Sequence, residues 1–141
     1  MQMNQSTARR GLSTGIRIHD LLLSRYMAND EVDKNPFGEN LLDKANRDKL
    51  PPLYSNEQLG LMAIALVKFF TPDSNWTWYA SEFDGDDTFF GLVAGFDVEL
   101  GYFLLSELQS VRGPLGLQVE RDLHYEPKTL AELFAKLGNL K

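Results

Sequence analysis

The chain has 141 residues and a mass of 16.0 kDa, enough for one domain that buries roughly two-thirds of its unfolded surface without a disulfide or a metal. It contains no cysteine, which excludes disulfide scaffolds, thiolate zinc sites, iron–sulfur ligation and cysteine nucleophiles, and fits a reducing cytoplasm. A net charge of −6 argues against a protein that wraps nucleic-acid backbone, and no apolar run is long enough to cross a bilayer, so neither direct nucleic-acid binding nor a membrane is expected.

The N-terminal 30 residues carry Arg9, Arg10, Arg17 and Arg25 against Asp20 and Asp30, a net charge of +2 that leaves −8 for the rest. Arg9-Arg10 resembles the start of a twin-arginine signal, but the uninterrupted apolar segment such a signal needs does not follow. Ile18, Leu21, Leu22 and Tyr26 instead fall at helical spacing. Residues 29–40 are polar and contain the breaker run Asn35-Pro36-Phe37-Gly38, which reads as a linker. The organisation expected is an N-terminal arm and linker over 1–40, followed by a single compact domain over 41–141. An arm of opposite charge with an apolar stripe can fold back on its own domain, or onto a second copy to give a homodimer by exchange.

Within the domain, Leu42 to Leu50 reads as a helix stopped by Pro51-Pro52. Leu61–Phe70 is an apolar run read as a first strand, closed by the turn residues Thr71-Pro72-Asp73-Ser74-Asn75. Trp76–Phe83 and Thr88–Phe96 read as a hairpin around Asp84-Gly85-Asp86-Asp87, with Phe83 opposite Thr88, Trp78 opposite Val93 and Trp76 opposite Gly95. This register puts Trp76, Trp78, Ala80 and Phe89 on one face and Tyr79, Phe83, Phe90 and Leu92 on the other. Both faces are apolar, so the hairpin belongs at the centre of a sheet covered on both sides. Leu100–Leu105 follows as a fourth strand. Ser106 with Gln109 forms a capping box for a short helix ended by Gly113-Pro114. Leu117–Tyr125 alternates as a half-exposed edge strand, and Thr129 with Glu132 caps a last helix whose stripe is Leu130, Leu133, Phe134 and Leu137, ended by Gly138. The fold class is α+β: an antiparallel β-meander of about five strands with helices packed on it, plus the N-terminal helical arm.

Between Lys68 and Arg112 there is no basic residue, yet eight carboxylates and eleven of the sixteen aromatic residues fall there. A field of one sign can steer a basic partner, although turns collect aspartate in any case. The candidate partner-binding residues are Asp84, Asp86, Asp87, Asp97 and Glu99, at the two ends of the central hairpin. Asp84, Asp86 and Asp87 do not follow the calcium-loop pattern, since Phe89 stands where its glycine belongs. His19 and His124 are too few and too separated for a zinc triad. His124 with Glu126 could supply a base and an orienting carboxylate, but His124 sits on the polar side of its strand. The serines lack a nucleophile-elbow context, and the glycines lie in a hairpin rather than in a phosphate loop. Pro51-Pro52-Leu53-Tyr54 spells a short proline–tyrosine ligand and also reads as a helix stop with an anchoring tyrosine. Trp76 and Trp78 could stack on bases or sugars, with core packing as the plainer reading.

The segments Leu50–Tyr54, Lys68–Ala80 and Glu82–Val93 resemble a bacterial family of unknown function, DUF2958, as do Glu99–Phe103 and Arg112–Leu117 with Glu120-Arg121-Asp122. The resemblance covers about residues 41–135. It implies no activity, cofactor or catalytic residue. The family's occurrence on plasmids and other mobile elements, sometimes near anti-restriction genes, implies an accessory role. Composition and resemblance together point to a cytoplasmic, acidic interaction protein that binds a basic protein surface, with carboxylates where nucleic-acid phosphates would sit. No cofactor, metal or catalytic residue is expected. The alternative is a small enzyme, metal-dependent or metal-free, using Asp84, Asp86 and Asp87 with His124 or Arg112.

Overall fold

A computed structural model describes residues 35–138. The stripe at Ile18, Leu21, Leu22 and Tyr26 and the expected docking of the arm lie outside the described residues. In chain order the elements are α1 (Lys44–Lys49), β1 (Ile64–Ala65), β2 (Val67–Phe70), β3 (Thr77–Phe83), β4 (Thr88–Ala94), β5 (Val98–Leu104), α2 (Leu105–Ser110), β6 (Glu120–Arg121), β7 (Lys128–Thr129) and α3 (Leu130–Gly138). Short 3₁₀ turns occupy Gly38–Asn40 and Glu57–Met62.

The main sheet has the order β5-β4-β3-β2-β6, with β2 to β5 an antiparallel meander and β6 added at the far edge. The class is α+β, and the central hairpin is covered on both faces. One face carries Val67, Phe69, Trp78, Ala80, Phe83, Phe89 and Phe103, roofed by residues from the Leu41–Leu50 segment and by Leu105 and Leu108 of α2. The other face carries Tyr79, Leu92 and Ala94, closed by Leu130 and Leu133 of α3. Phe89 is the hub of the first layer, with the rings of Phe83, Phe103 and Phe69 at 4.6, 5.1 and 5.4 Å.

The expected hairpin register holds from Thr77↔Ala94 through Ala80↔Gly91 and then slips by one. Ser81 is the extra residue. It is fully buried, and its hydroxyl donates to the Phe90 carbonyl at 3.1 Å, so the bulge keeps its polar group satisfied. Beyond it Phe83 pairs with Phe89 rather than Thr88. This moves Phe83 off the face assigned from the sequence and into the Trp78 layer.

The apolar run Leu61–Phe70 is likewise not one strand. Gly60 sits at φ 55°, the chain through Met62 is a 3₁₀ turn, and Leu66 interrupts the ladder between β1 and β2. β1 leaves the main sheet to pair with β7. The edge strand expected over Leu117–Tyr125 is reduced to Glu120–Arg121 and an isolated bridge from Arg112 to Gln118. The Thr129–Glu132 capping box forms as expected, each side chain accepting the other residue's backbone N–H at 3.0–3.1 Å. The Ser106–Gln109 box does not. The cap of α2 comes from across the hairpin turn, where Asp87 accepts both the Ser106 N–H and its hydroxyl at 2.7 Å.

Candidate functional site

Asp84, Asp86 and Asp87 lie in the β3–β4 turn, while Asp97 lies in the β4–β5 turn and Glu99 on β5 opposite Val93. The seven residues of β4 separate the two groups by roughly 20 Å at strand rise. The structure therefore brings the three turn aspartates together and keeps them apart from Asp97 and Glu99. One oxygen of Asp84 accepts the backbone N–H groups of Asp86, Asp87 and Thr88 at 2.8–3.0 Å. Those bonds, Thr88's foremost, hold its carboxyl below the ordinary aspartate value. Both oxygens of Asp87 are committed to Ser106. Two of the three turn carboxylates thus organise the turn and the start of α2. His124 is exposed, as its parity implied. Among the described residues no three His, Asp or Glu side chains come together as a metal ion requires.

Two charged side chains that pattern reading missed are buried. Arg121 is 3% exposed and donates to the carbonyls of Asn40 and Leu41 at 2.9 and 2.6 Å and to Asp43 at 3.3 Å. Asp43 also N-caps α1 by accepting the Asn46 N–H. Arg121 stands at an apolar position of the Leu117–Tyr125 alternation, and that inward parity was the available signal. Glu82 is 4% exposed. Its two oxygens accept the backbone N–H groups of Tyr54 and Asn56, each at 2.8 Å. It thereby holds Tyr54 at φ 71°, in the left-handed region that a bulky residue rarely occupies. The proline–tyrosine stretch ends in this anchored turn, with the Tyr54 ring exposed.

Around Glu82 lies a pocket of about 200 Å³ whose walls include Tyr54, Glu57, Phe90, Leu100 and Tyr102 and no basic residue. The Tyr54 and Tyr102 rings are 6.5 Å apart, and Phe90 and Tyr102 meet edge-on at 5.2 Å. The neighbouring Tyr54 hydroxyl is the main reason the Tyr102 phenol titrates above its ordinary value, with desolvation and the negative charge of Glu82 and Glu57 adding to it. This pocket pairs π-faces with carboxylates, the combination that receives an ammonium or guanidinium group.

A larger cleft, about 670 Å³, opens on the opposite face of the sheet, between β3–β5 and the segment that follows α2. Its apolar lining includes Trp76, Trp78, Val93, Phe103 and Val111, its polar lining includes Asn75, Glu107 and Arg112, and Tyr102 borders it as it does the Glu82 pocket. Trp76 lies on Gly95 as the sequence register required, and a Cβ there would come within 2.4 Å of the indole.

A family model described as "Protein of unknown function (DUF2958)" matches residues 41–140. The comparisons with curated proteins and with solved structures found no match. The chain belongs to the DUF2958 family.

Proposed function

Since membership of that family carries no activity with it, we propose from the site itself that this is an acidic interaction protein that binds a basic protein surface. One observation supports the reading above the others: the Tyr54–Glu82–Tyr102 pocket holds a buried carboxylate, two phenols and a phenyl ring, with no basic residue in its walls. A pocket of about 200 Å³ has room for the head of one lysine or arginine side chain. The exposed carboxylates Asp86 and Glu99 contribute to the field by which such a partner is steered. On a mobile element, in the cytoplasm, a surface of this kind would cover the face with which a host nuclease or DNA-binding protein meets phosphate. No helix among the described residues is long and apolar enough to cross a membrane.

The test is affinity capture from host lysate at low and high salt, with the full chain and with E57Q/Y102L. The expected result is a basic partner that salt releases and that the double variant retains at least about ten-fold less well, as loss of a central pocket anchor implies. Capture that is equal for both chains and indifferent to salt would reject the reading. The competing proposal, a metal-dependent enzyme on Asp84, Asp86 and Asp87, requires the melting temperature to rise with millimolar magnesium, manganese or calcium. One oxygen of Asp84 is already engaged by the turn and both oxygens of Asp87 by Ser106, and no rise is expected.

A further inference from the structure

We infer that the cleft walled by Trp76, Trp78 and Arg112 is a binding site for a flat aromatic ring carrying a single anionic group, of mononucleotide size. Its volume of about 670 Å³ falls in the range of small-molecule sites and is too small for a folded partner. The apolar wall is packed ring on ring: the Trp76 and Trp78 rings lie 6.0 Å apart, Phe96 meets Trp76 edge-on at 5.5 Å, and Gly95 lets Trp76 seat directly on the sheet. A half-buried indole held in this way is a stacking surface for a planar ring.

The polar wall supplies the charge. Arg112 follows α2, and one guanidinium nitrogen donates to the carbonyls of Gln109 and Val111 at 3.0 and 2.9 Å. These bonds anchor the fork near the last turn of the helix. The Nε and second Nη groups make no hydrogen bond or ion pair among the described residues. A guanidinium held by one nitrogen presents the others to a phosphate or a carboxylate. Glu107, in the same lining, opposes a second negative group, which favours one anionic substituent over a polyphosphate. A net charge of −6 opposes a nucleic-acid polymer in the same way. Trp78, Val93 and Phe103 project from the face of the sheet opposite Phe90 and Leu100, so the cleft and the Glu82 pocket open on opposite faces; Tyr102 borders both, whereas Arg112 lines the cleft alone, and its variants test this proposal without touching the other.

The chain has two tryptophans and both line the cleft, so fluorescence excited at the red edge, where tyrosine does not absorb, reports on this site. The full chain is titrated with AMP and nicotinate, which carry a phosphate and a carboxylate respectively, and with the neutral controls adenosine and nicotinamide. Saturable quenching is expected from at least one of the anions, about ten-fold tighter than from its neutral control, the size of effect one charge-assisted fork supplies. Which anion binds identifies the source. R112Q should reduce the anion to the affinity of its control, and R112K, which keeps the charge but loses the fork, should fall between. Thermal melts verify that each variant is folded, and R112K decides the matter if R112Q is not. Absence of saturable quenching by either anion would overturn the assignment. So would anion binding that a folded Arg112 variant leaves unchanged.

Discussion

Three backbone N–H groups converge on one oxygen of Asp84, which makes this side chain the organiser of the central turn rather than a free surface charge. D84A should lower the melting temperature at pH 7, whereas D84N, which keeps an acceptor oxygen, should lower it less; calorimetry separates the two. At the β6 edge of the sheet, Arg121 and Asp43 are both buried and bonded to each other. R121M removes one side of that pair together with the hydrogen bonds that the guanidinium donates to the Asn40 and Leu41 carbonyls, and about 3 kcal/mol of stability should go with it, measured by urea unfolding. A loss under about 1 kcal/mol would mean that the methionine packs as well as the pair bonds. At this scale the sequence was legible where a residue's chemistry agreed with its position. Trp76 over Gly95 and the Thr129–Glu132 box are examples. Arg121 and Glu82 escaped because a charged side chain in an interior position is excused only by partners distant in sequence, here Asn40–Asp43 and Tyr54–Asn56.

The strands β3, β4 and β5 were legible as elements because short apolar runs rich in aromatic residues, bounded by turns containing Asp and Gly, have few alternatives. What could not be read was the one-residue slip at Ser81. A bulge changes the parity of everything beyond it without altering the apolar run that announces the strand, and with both faces apolar nothing marks the slip that moves Phe83 to the other face. The start of α2 failed for a related reason. Ser106 has the residue type of a cap, but the cap is supplied by Asp87, brought close by the hairpin and β5. S106A removes only the hydroxyl contact, whereas D87A removes the acceptor for both the hydroxyl and the backbone N–H. Melting temperatures should therefore fall in the order wild type, S106A, D87A, with a total loss of about 1 kcal/mol for the deeper variant, the usual worth of a helix cap. Equal melting temperatures for D87A and wild type would show that the turn does not cap the helix.

At the scale of the whole molecule, stability against pH draws on Asp84, Glu132 and Tyr125, whose surroundings move them in opposite directions. Asp84 and Glu132 each accept backbone N–H bonds, chiefly from Thr88 and Thr129, and titrate below their ordinary values of 3.8 and 4.5. The unfolded chain therefore takes up their protons first as the pH falls. Their contribution is whole above those ordinary values and disappears as the pH drops through the folded ones. Tyr125 behaves in the opposite sense. Burial between β1 and the Tyr79 ring, with its hydroxyl donating to the Ala65 carbonyl at 2.9 Å, pushes it from 10.0 up to about 12. Between those two values the unfolded chain has lost a proton that the folded chain retains. The contribution of Tyr125 is thus complete below pH 10 and gone by about pH 12. Calorimetry across the pH range should give a plateau at neutral pH with a decline at each end, and the ends should respond to different substitutions. D84N with E132Q should flatten the acid decline and leave the alkaline one intact. Y125F should make the alkaline decline shallower, the raised Tyr102 keeping a part of it, and cost about 1 kcal/mol on the plateau, because the Ala65 carbonyl loses its donor. An alkaline decline of the same depth in Y125F and wild type would show that the packing of α3 against the sheet does not depend on the neutral phenol beneath it.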